Sequence, residues 1–207
     1  MSNVAIDPAL QLAVRSCLAL LLTAAARHKL GDLARFRSTI ENYRVVPPSV
    51  AALISHTLPA LEVVLAMTIA SGMFPVASGA AAAVLFTVYA LAIAVNVRRG
   101  RSDLDCGCMG PASAVPVSSA LVVRNVFLVV AAGLLTIPVS ARELTLMDDV
   151  AIAAFTAALA ACWAASERML ALAPRVALAR RKTHSGAAHE RSRFADIRSR
   201  FAPARPS

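Results

Sequence analysis

Apolar residues along the chain gather in five long stretches that short polar segments separate. A helix needs about 20 mostly apolar residues to cross a bilayer, and each stretch reaches roughly that length. No charged leader with a small-residue cleavage site precedes the first stretch, so we expect no cleaved signal peptide. The pattern predicts an all-α integral membrane protein, a bundle of four to five transmembrane helices. The predicted spans are 9–27, 50–72, 75–97, 118–140 and, most weakly, 149–172.

Composition supports the same interpretation. Of the 207 residues, 58% are apolar and 16% are charged, whereas a soluble domain carries about 25% charged residues. These values exclude an ordinary soluble domain, and the apolar content also excludes a disordered chain. Residues 1–172 form the predicted membrane domain. Residues 173–207 are rich in arginine and interrupted by prolines, which predicts a disordered basic tail.

Basic residues predict the orientation of the bundle. The net charge is +9, and Lys and Arg concentrate after the first span, after the third span and in the tail. Such residues accumulate on the cytoplasmic side of membrane proteins. We therefore expect a multi-pass membrane protein with its N-terminus outside and its C-terminal tail in the cytoplasm. The tail is expected to contact anionic lipid headgroups of the bilayer, and no aromatic platform or motif indicates a nucleic-acid partner.

A Cys-Gly-Cys sequence after the third span is the strongest candidate for chemistry. Cys106 and Cys108 flank Gly107, and the missing Cβ of glycine suits the tight ring that a disulfide between them would close. A strained disulfide exchanges more readily than a structural one, so we favour thiol–disulfide exchange. An inert reduced pair and a metal site are the alternatives. Because two thiolates do not complete a metal site, we expect none.

Polar residues inside the spans are costly in lipid and are therefore candidates for pairing or function. Arg15 and Glu62 lie at similar depth in the first two spans, which predicts an intramembrane ion pair. Arg124 and Asn125 lie in the fourth span, toward the side of the cysteines. Two alternatives remain: these residues only hold the bundle together, or Arg15 and Glu62 form the centre of a small-solute transporter.

Several short motifs occur in a consistent order between about residues 30 and 130. The most specific is Asp-Cys-Gly-Cys-x-Gly at 105–110; the other motif residues are Phe36, Asn42, Tyr43, Arg44, Pro47, Glu62, Asn96, Arg99, Gly100, Arg124 and Asn125. Together they resemble the methylamine utilisation protein MauE family, which belongs with the DoxX-like small membrane proteins. Met109 departs from the phenylalanine that is usual in the family motif, and the basic tail lies outside the resemblance.

The resemblance implies a helper in the biogenesis of methylamine dehydrogenase. Proteins similar to this one are thought to assist processing, transport or disulfide formation of the small subunit of that enzyme, alongside a thioredoxin-like partner. DoxX-like relatives suggest a quinone as a candidate electron partner, and we expect no other cofactor. Cys106 and Cys108 are then the redox pair. The residues expected to support them are Asp105, Gly107, Arg99, Arg124, Asn125, Glu62, Tyr43 and Arg44.

The charge pattern and the resemblance disagree about the side of the membrane. The charge pattern places Cys106 and Cys108 toward the cytoplasm, whereas the resemblance implies disulfide chemistry in the periplasm. Either the loop folds into the bundle and passes electrons across, or the topology differs; we favour the charge pattern. If the protein is an enzyme, we expect thiol–disulfide exchange. The alternatives are a non-catalytic membrane scaffold or export component and a quinone-linked oxidoreductase subunit.

Overall fold

A computed structural model describes residues 5–101, 118–166 and 168–169. Within these ranges helices joined by short connections form the fold, which confirms the predicted all-α membrane protein. Residues 102–117, here called the cysteine segment, lie outside the described residues, and so does the tail 173–207. The helices are α1 Pro8–Gly31, α2 Leu33–Tyr43, α3 Pro48–Ser71, α4 Pro75–Arg98, α5 Ser119–Leu134 and α6 Leu146–Ser166.

Four of the described helices, α1, α3, α4 and α6, are long and apolar enough to cross a membrane. Helix α5 has 16 residues, a length of about 24 Å, and is shorter than the span predicted over 118–140. Helix α5 ends shortly before Pro138, which lacks an N–H and disfavours helical conformation at the residue before it. The chain instead turns there, and the Ile6 N–H donates to the Pro138 carbonyl at 2.9 Å.

The hydrophobic pattern does not predict α2, which lies in the segment between the first two spans. The Asp32 side chain begins this helix by accepting a hydrogen bond from the Arg35 N–H at 2.9 Å. Phe36 and Tyr43, seven residues apart, lie on one face of the helix and are both buried. Helix α2 is too short to cross a bilayer, and it packs mainly against α3.

The long helices pack as two closely contacting pairs, α1 with α3 and α4 with α5. Their shared core includes Leu22, Ile69 and Phe86. Gly79 allows the close approach of α4 and α5, because a Cβ at this position would lie 2.9 Å from the Ala132 carbonyl oxygen. Outward-facing residues of the bundle are also apolar, as expected for a surface that contacts lipid.

The two ends of the bundle carry different polar contacts. The Asp7 end comprises the start of α1, the α3–α4 turn and the chain after α5; the opposite end, where α1 and α4 stop, is called the Arg99 end. At the Asp7 end, Arg142 donates to Asp7 at 3.0 Å and to Asp148 at 2.8 Å. These hydrogen bonds are the main reason that the pKa of each carboxyl lies below its ordinary value. Both aspartates therefore keep their charge into acidic solution.

The predicted ion pair between Arg15 and Glu62 is wrong. Arg15 Nε donates to the Ile69 carbonyl and Arg15 Nη2 to the Ala70 carbonyl, each at 3.0 Å. These carbonyls belong to the last turn of α3, where backbone oxygens lack helical partners and the helix dipole is negative. Arg15 lies near the Asp7 end of α1, so it meets the end of α3, whereas Glu62 lies near the middle of that helix.

Gly72 ends α3 in a left-handed conformation that glycine adopts without strain. Its φ is +71°, and a Cβ there would lie 2.3 Å from Arg15 Nη2. We predict that Gly72→Ala lowers the free energy of unfolding by about 1–3 kcal/mol, because backbone strain adds to this clash. Chemical unfolding in detergent measures the change. Gly133→Ala is the matched control, since nothing lies within 4 Å of that Cβ. Equal stability of the two variants would contradict the prediction.

Candidate functional site

A buried triad of polar side chains joins α1, α3 and α4. Lys29 Nζ donates to Glu62 Oε1 and, at 3.0 Å, to the Tyr89 hydroxyl. The Tyr89 hydroxyl in turn donates to the same carboxylate oxygen at 2.6 Å. The side chains of Lys29 and Glu62 are 2% and 0% exposed. Charges in such surroundings are tolerated only when they are paired and hydrogen-bonded, so Lys29 is the partner that allows Glu62 to lie inside the bundle.

Aromatic rings surround the ammonium group of this triad. Lys29 Nζ lies 5.2 Å from the centre of the Phe36 ring and 4.8 Å from that of Tyr89. Both distances fall within the range of a cation–π interaction. Phe36 belongs to α2, so the short helix that packs at the Arg99 end supplies part of the wall around the buried cation. The triad therefore depends on four helices.

The sequence pattern missed Lys29 and Tyr89 as site residues. The charge count groups Lys29 with the basic residues that predict topology, because it follows the first apolar stretch. A better signal comes directly after it: Gly31 and Asp32 are residues that end one helix and begin the next, which keeps Lys29 inside α1. Tyr89 lies in a span, and a buried tyrosine hydroxyl usually requires a hydrogen-bond partner.

A cavity of about 710 Å³ lies beside the triad. Most of its wall consists of alkyl and aromatic side chains from α1, α4, α5 and α6, and Glu62 is the contribution of α3. The polar side chains of the wall are His28, Glu62, Tyr89, Arg124 and Asn125. The structure thus brings together three residues that the sequence singled out, Glu62, Arg124 and Asn125, at one cavity.

Two contacts of α5 shape the far wall of this cavity. The Arg124 guanidinium carbon lies 4.6 Å from the centre of the Trp163 ring, which joins α5 to α6. Asn125 is buried, and its amide donates to the Leu121 carbonyl at 2.8 Å. Glu62 Oε2 is buried and has no hydrogen-bond partner within the described part of the chain. Glu62 therefore keeps one buried carboxylate oxygen whose hydrogen-bonding capacity is unused.

A second group of predicted residues meets at the C-terminus of α2. Arg99 donates to the Arg44 carbonyl at 3.2 Å, and Arg101 donates to the Asn42 carbonyl at 3.1 Å. Arg44 ends α2 with a left-handed φ of +48°, next to the buried Tyr43. These contacts attach the end of α4, and hence the start of the cysteine segment, to α2.

The predicted redox residues themselves are not part of this geometry. Cys106, Cys108, Asp105 and Gly107 all belong to the cysteine segment, outside the described residues. The prediction that they carry thiol–disulfide chemistry therefore stays a prediction. What the structure adds is the position from which the segment starts, at the Arg99 end, and the position at which α5 begins again.

The helices and the buried triad define a small multi-pass membrane protein whose polar centre lies between its helices. A family model described as methylamine utilisation protein MauE matches residues 7–138. The chain therefore belongs to the MauE family, and the resemblance in its motifs is confirmed. The matched region extends from the residue that caps α1 to the turn after α5. It contains the whole triad and all of the cavity wall except the part from α6.

Individual proteins similar to this chain carry the name of the family. Methylamine utilization protein MauE of Paracoccus denitrificans is 38% identical over 128 residues, which is 62% of this chain and 69% of that protein. The protein of that name from Paracoccus versutus is 36% identical over 128 residues, which is 62% of this chain and 69% of that protein. The one from Methylophilus methylotrophus is 36% identical over 109 residues, 53% of this chain and 57% of the relative. No solved structure matches the chain significantly.

Removing one partner of the buried ion pair should be far more damaging than removing both charges. We predict that Lys29→Met lowers the free energy of unfolding by about 3–5 kcal/mol, because it leaves the Glu62 carboxylate buried alone. Combining it with Glu62→Leu should recover most of this loss. Chemical unfolding in detergent measures both variants. Arg37→Met, in the exposed pair with Glu41, is the control and should cost less than about 1 kcal/mol.

The stability of the double variant distinguishes two causes for the instability of Lys29→Met, the unpaired charge and the lost packing. If the combination of Lys29→Met with Glu62→Leu is as unstable as Lys29→Met alone, the loss comes from packing of the lysine stem. That result would contradict an ion pair as the organising interaction of the bundle.

Proposed function

We propose that this chain is a membrane-embedded accessory protein for the biogenesis of methylamine dehydrogenase. In this role it assists processing, transport or disulfide maturation of the small subunit, together with a thioredoxin-like partner. Membership of the MauE family supports a function in methylamine utilisation. The multi-pass helical fold is consistent with a helper that acts from the bilayer on a protein matured nearby.

We further propose that Cys106 and Cys108 form the reactive thiol–disulfide pair. In the exchange, a thiolate of a partner dithiol that reaches the cytoplasmic side attacks the disulfide of the pair, and the second thiol of that partner resolves the mixed disulfide. The partner gains a disulfide, and the pair gains two protons and two electrons as two thiols; the reverse reaction runs through the same mixed disulfide.

The observation that carries this assignment is the attachment of Arg99 and Arg101 to α2. It holds the residue at which the cysteine segment starts at a defined place. In the sequence, the arginines before the segment favour thiolate, whereas Asp103 and Asp105 oppose it.

Replacing both cysteines tests whether the pair acts chemically. We expect the double variant Cys106→Ser/Cys108→Ser to abolish accumulation of mature small subunit. The host is a methylamine-using bacterium whose own family member is deleted, and mature subunit is measured by immunoblot and by methylamine dehydrogenase activity. Cys162→Ser is the matched control, since Cys162 lies exposed on α6, and it should leave maturation unchanged. Full maturation in the double variant would favour a non-catalytic scaffold or export component instead.

The orientation of the bundle is a separate proposal. We propose that the protein lies in the bacterial inner membrane with the Arg99 end and the C-terminal tail in the cytoplasm. Lys29 is one of the basic residues on which the predicted orientation rests, but it is buried in the triad and does not lie in a loop. Without Lys29, the arginine-rich loops and tail are the residues that set the topology. The distribution of the remaining basic residues still favours this orientation strongly.

Thiol labelling in intact cells tests the orientation and the redox state together. In a variant with Cys17 and Cys162 replaced by alanine, we expect a membrane-impermeant maleimide to leave Cys106 and Cys108 unlabelled in intact cells, both before and after reduction, until the cells are opened. Labelling that then requires prior reduction identifies a disulfide. Leu144→Cys, placed at the Asp7 end of the same background, is the positive control and should label from outside. Labelling of the pair in intact cells would overturn the proposed orientation.

A further inference from the structure

Helix α6 lies beside the bundle without being packed into it. None of its residues is buried. The four partly covered residues, at intervals of four and seven that place them on one face, are Asp148, Ile152, Thr156 and Trp163. Helix α6 therefore faces the bundle along a single ridge, and the cavity of about 710 Å³ lies in the gap beside this ridge, between α6, α1 and α5.

This cavity opens toward the lipid. Three of its wall residues are large apolar side chains that are at the same time exposed on the surface of the bundle, namely Leu20, Phe127 and Leu159. They belong to α1, α5 and α6, so the opening lies between these helices. A molecule that is dissolved in the bilayer can therefore reach the cavity from the side.

The groups of the wall that can hold an anion lie at one end of the cavity. His28 is in the last turn of α1, Arg124 in the second turn of α5 and Trp163 in the last turn of α6, so all three lie toward the Arg99 end. Toward the Asp7 end the wall is apolar, with Val14 and Ala131. From Val14 to His28, α1 rises by about 21 Å, whereas one leaflet contributes about 15 Å to the hydrocarbon core. The apolar part of the cavity is therefore long enough for much of an acyl chain.

The Arg99 end of the cavity has the chemistry of a phosphate site. The planar fork of the Arg124 guanidinium matches the oxygens of a phosphate, and arginine combines such hydrogen bonds with a stacked aromatic ring. Its guanidinium carbon lies 4.6 Å from the centre of the Trp163 ring. His28 can donate a further hydrogen bond even when it is neutral. The Glu62 carboxylate does not oppose an anion here, because it is fully buried and paired with Lys29.

We propose that the cavity holds an anionic phospholipid from the leaflet at the Arg99 end. Its phosphate accepts hydrogen bonds from Arg124 and His28, and one acyl chain lies along the apolar wall and fills the gap beside α6. A soluble phosphate leaves the apolar wall uncovered, whereas a neutral lipid brings no anion to the guanidinium. The phospholipid meets both requirements. The site does not involve Cys106 or Cys108, so it stands or fails independently of the proposed function.

Trp163 reports the binding, because it is the only tryptophan of the chain and lines the cavity. We expect phosphatidylglycerol with brominated acyl chains to quench the fluorescence of the full-length protein in detergent micelles in a saturable manner. Diacylglycerol with the same brominated chains lacks the phosphate. It should need about tenfold more lipid for half of the quenching, as expected when hydrogen bonds to a charged group are lost. Unbrominated phosphatidylglycerol should restore the fluorescence, whereas glycerol phosphate should not.

Two outcomes of this experiment would overturn the proposal. Equal quenching by the two brominated lipids would mean that the cavity recognises only apolar bulk. Recovery of the fluorescence with glycerol phosphate would mean that the cationic end takes a soluble phosphate ester and needs no acyl chain.

Two pairs of variants locate the site. Arg124→Gln should remove the preference for phosphatidylglycerol, whereas Arg98→Gln, an exposed position at the same end and outside the cavity wall, should keep it. Ala160→Phe fills the cavity from α6 and should weaken binding of brominated phosphatidylglycerol at least about fivefold. Ala158→Phe adds the same ring to α6 outside the cavity wall and should bind as the wild type does.

The second pair keeps the proposal testable if Arg124→Gln does not fold, because Ala160 is exposed on a helix that is not packed into the bundle. A folded Arg124→Gln variant that still prefers phosphatidylglycerol would refute the phosphate contact. Unchanged binding by Ala160→Phe would place the lipid elsewhere and refute the site.

Discussion

The ion pair between Lys29 and Glu62 is the interaction on which the rest of the bundle depends. Two charges inside an apolar bundle are tolerated only when they pair at contact distance. That requirement fixes α1 against α3 and brings the Tyr89 hydroxyl of α4 to the same carboxylate oxygen. The apolar contacts of the core tolerate small shifts between helices, whereas this pair does not. The ion pair therefore fixes the depth at which α1, α3 and α4 lie relative to one another.

Helix α2 links the buried triad to the place where the cysteine segment starts. On one face its Phe36 ring lies against the Lys29 ammonium. At its C-terminus the carbonyls of Asn42 and Arg44 accept hydrogen bonds from Arg101 and Arg99. A helix of 11 residues thus contacts both the triad and the residues that precede the cysteine segment.

Hydropathy predicted the helical membrane fold well, because long apolar stretches have few other stable arrangements. It could not predict α2, whose amphipathic pattern is too short to register as a span. The prediction of Arg15 as the partner of Glu62 failed because it compared only how far each residue lies from the end of its span. A lysine side chain is long, and Lys29 uses that length to reach inward from the last turns of α1. Glu62, Arg124 and Asn125 were found because polar residues are rare within spans. The cavity they share depends on how the helices pack, which no local pattern contains.

The position of Lys29 on α1 has a consequence for how the chain enters the membrane. Glu62 follows Lys29 by 33 residues, so α1 enters the membrane before α3 brings its counter-charge there. During that interval we expect the lysine to extend toward the headgroup region, where long basic side chains keep their charge hydrated. Only the arrival of α3 allows the ammonium to turn inward. Burial of Lys29 thus marks the moment at which separately inserted helices become one folded unit.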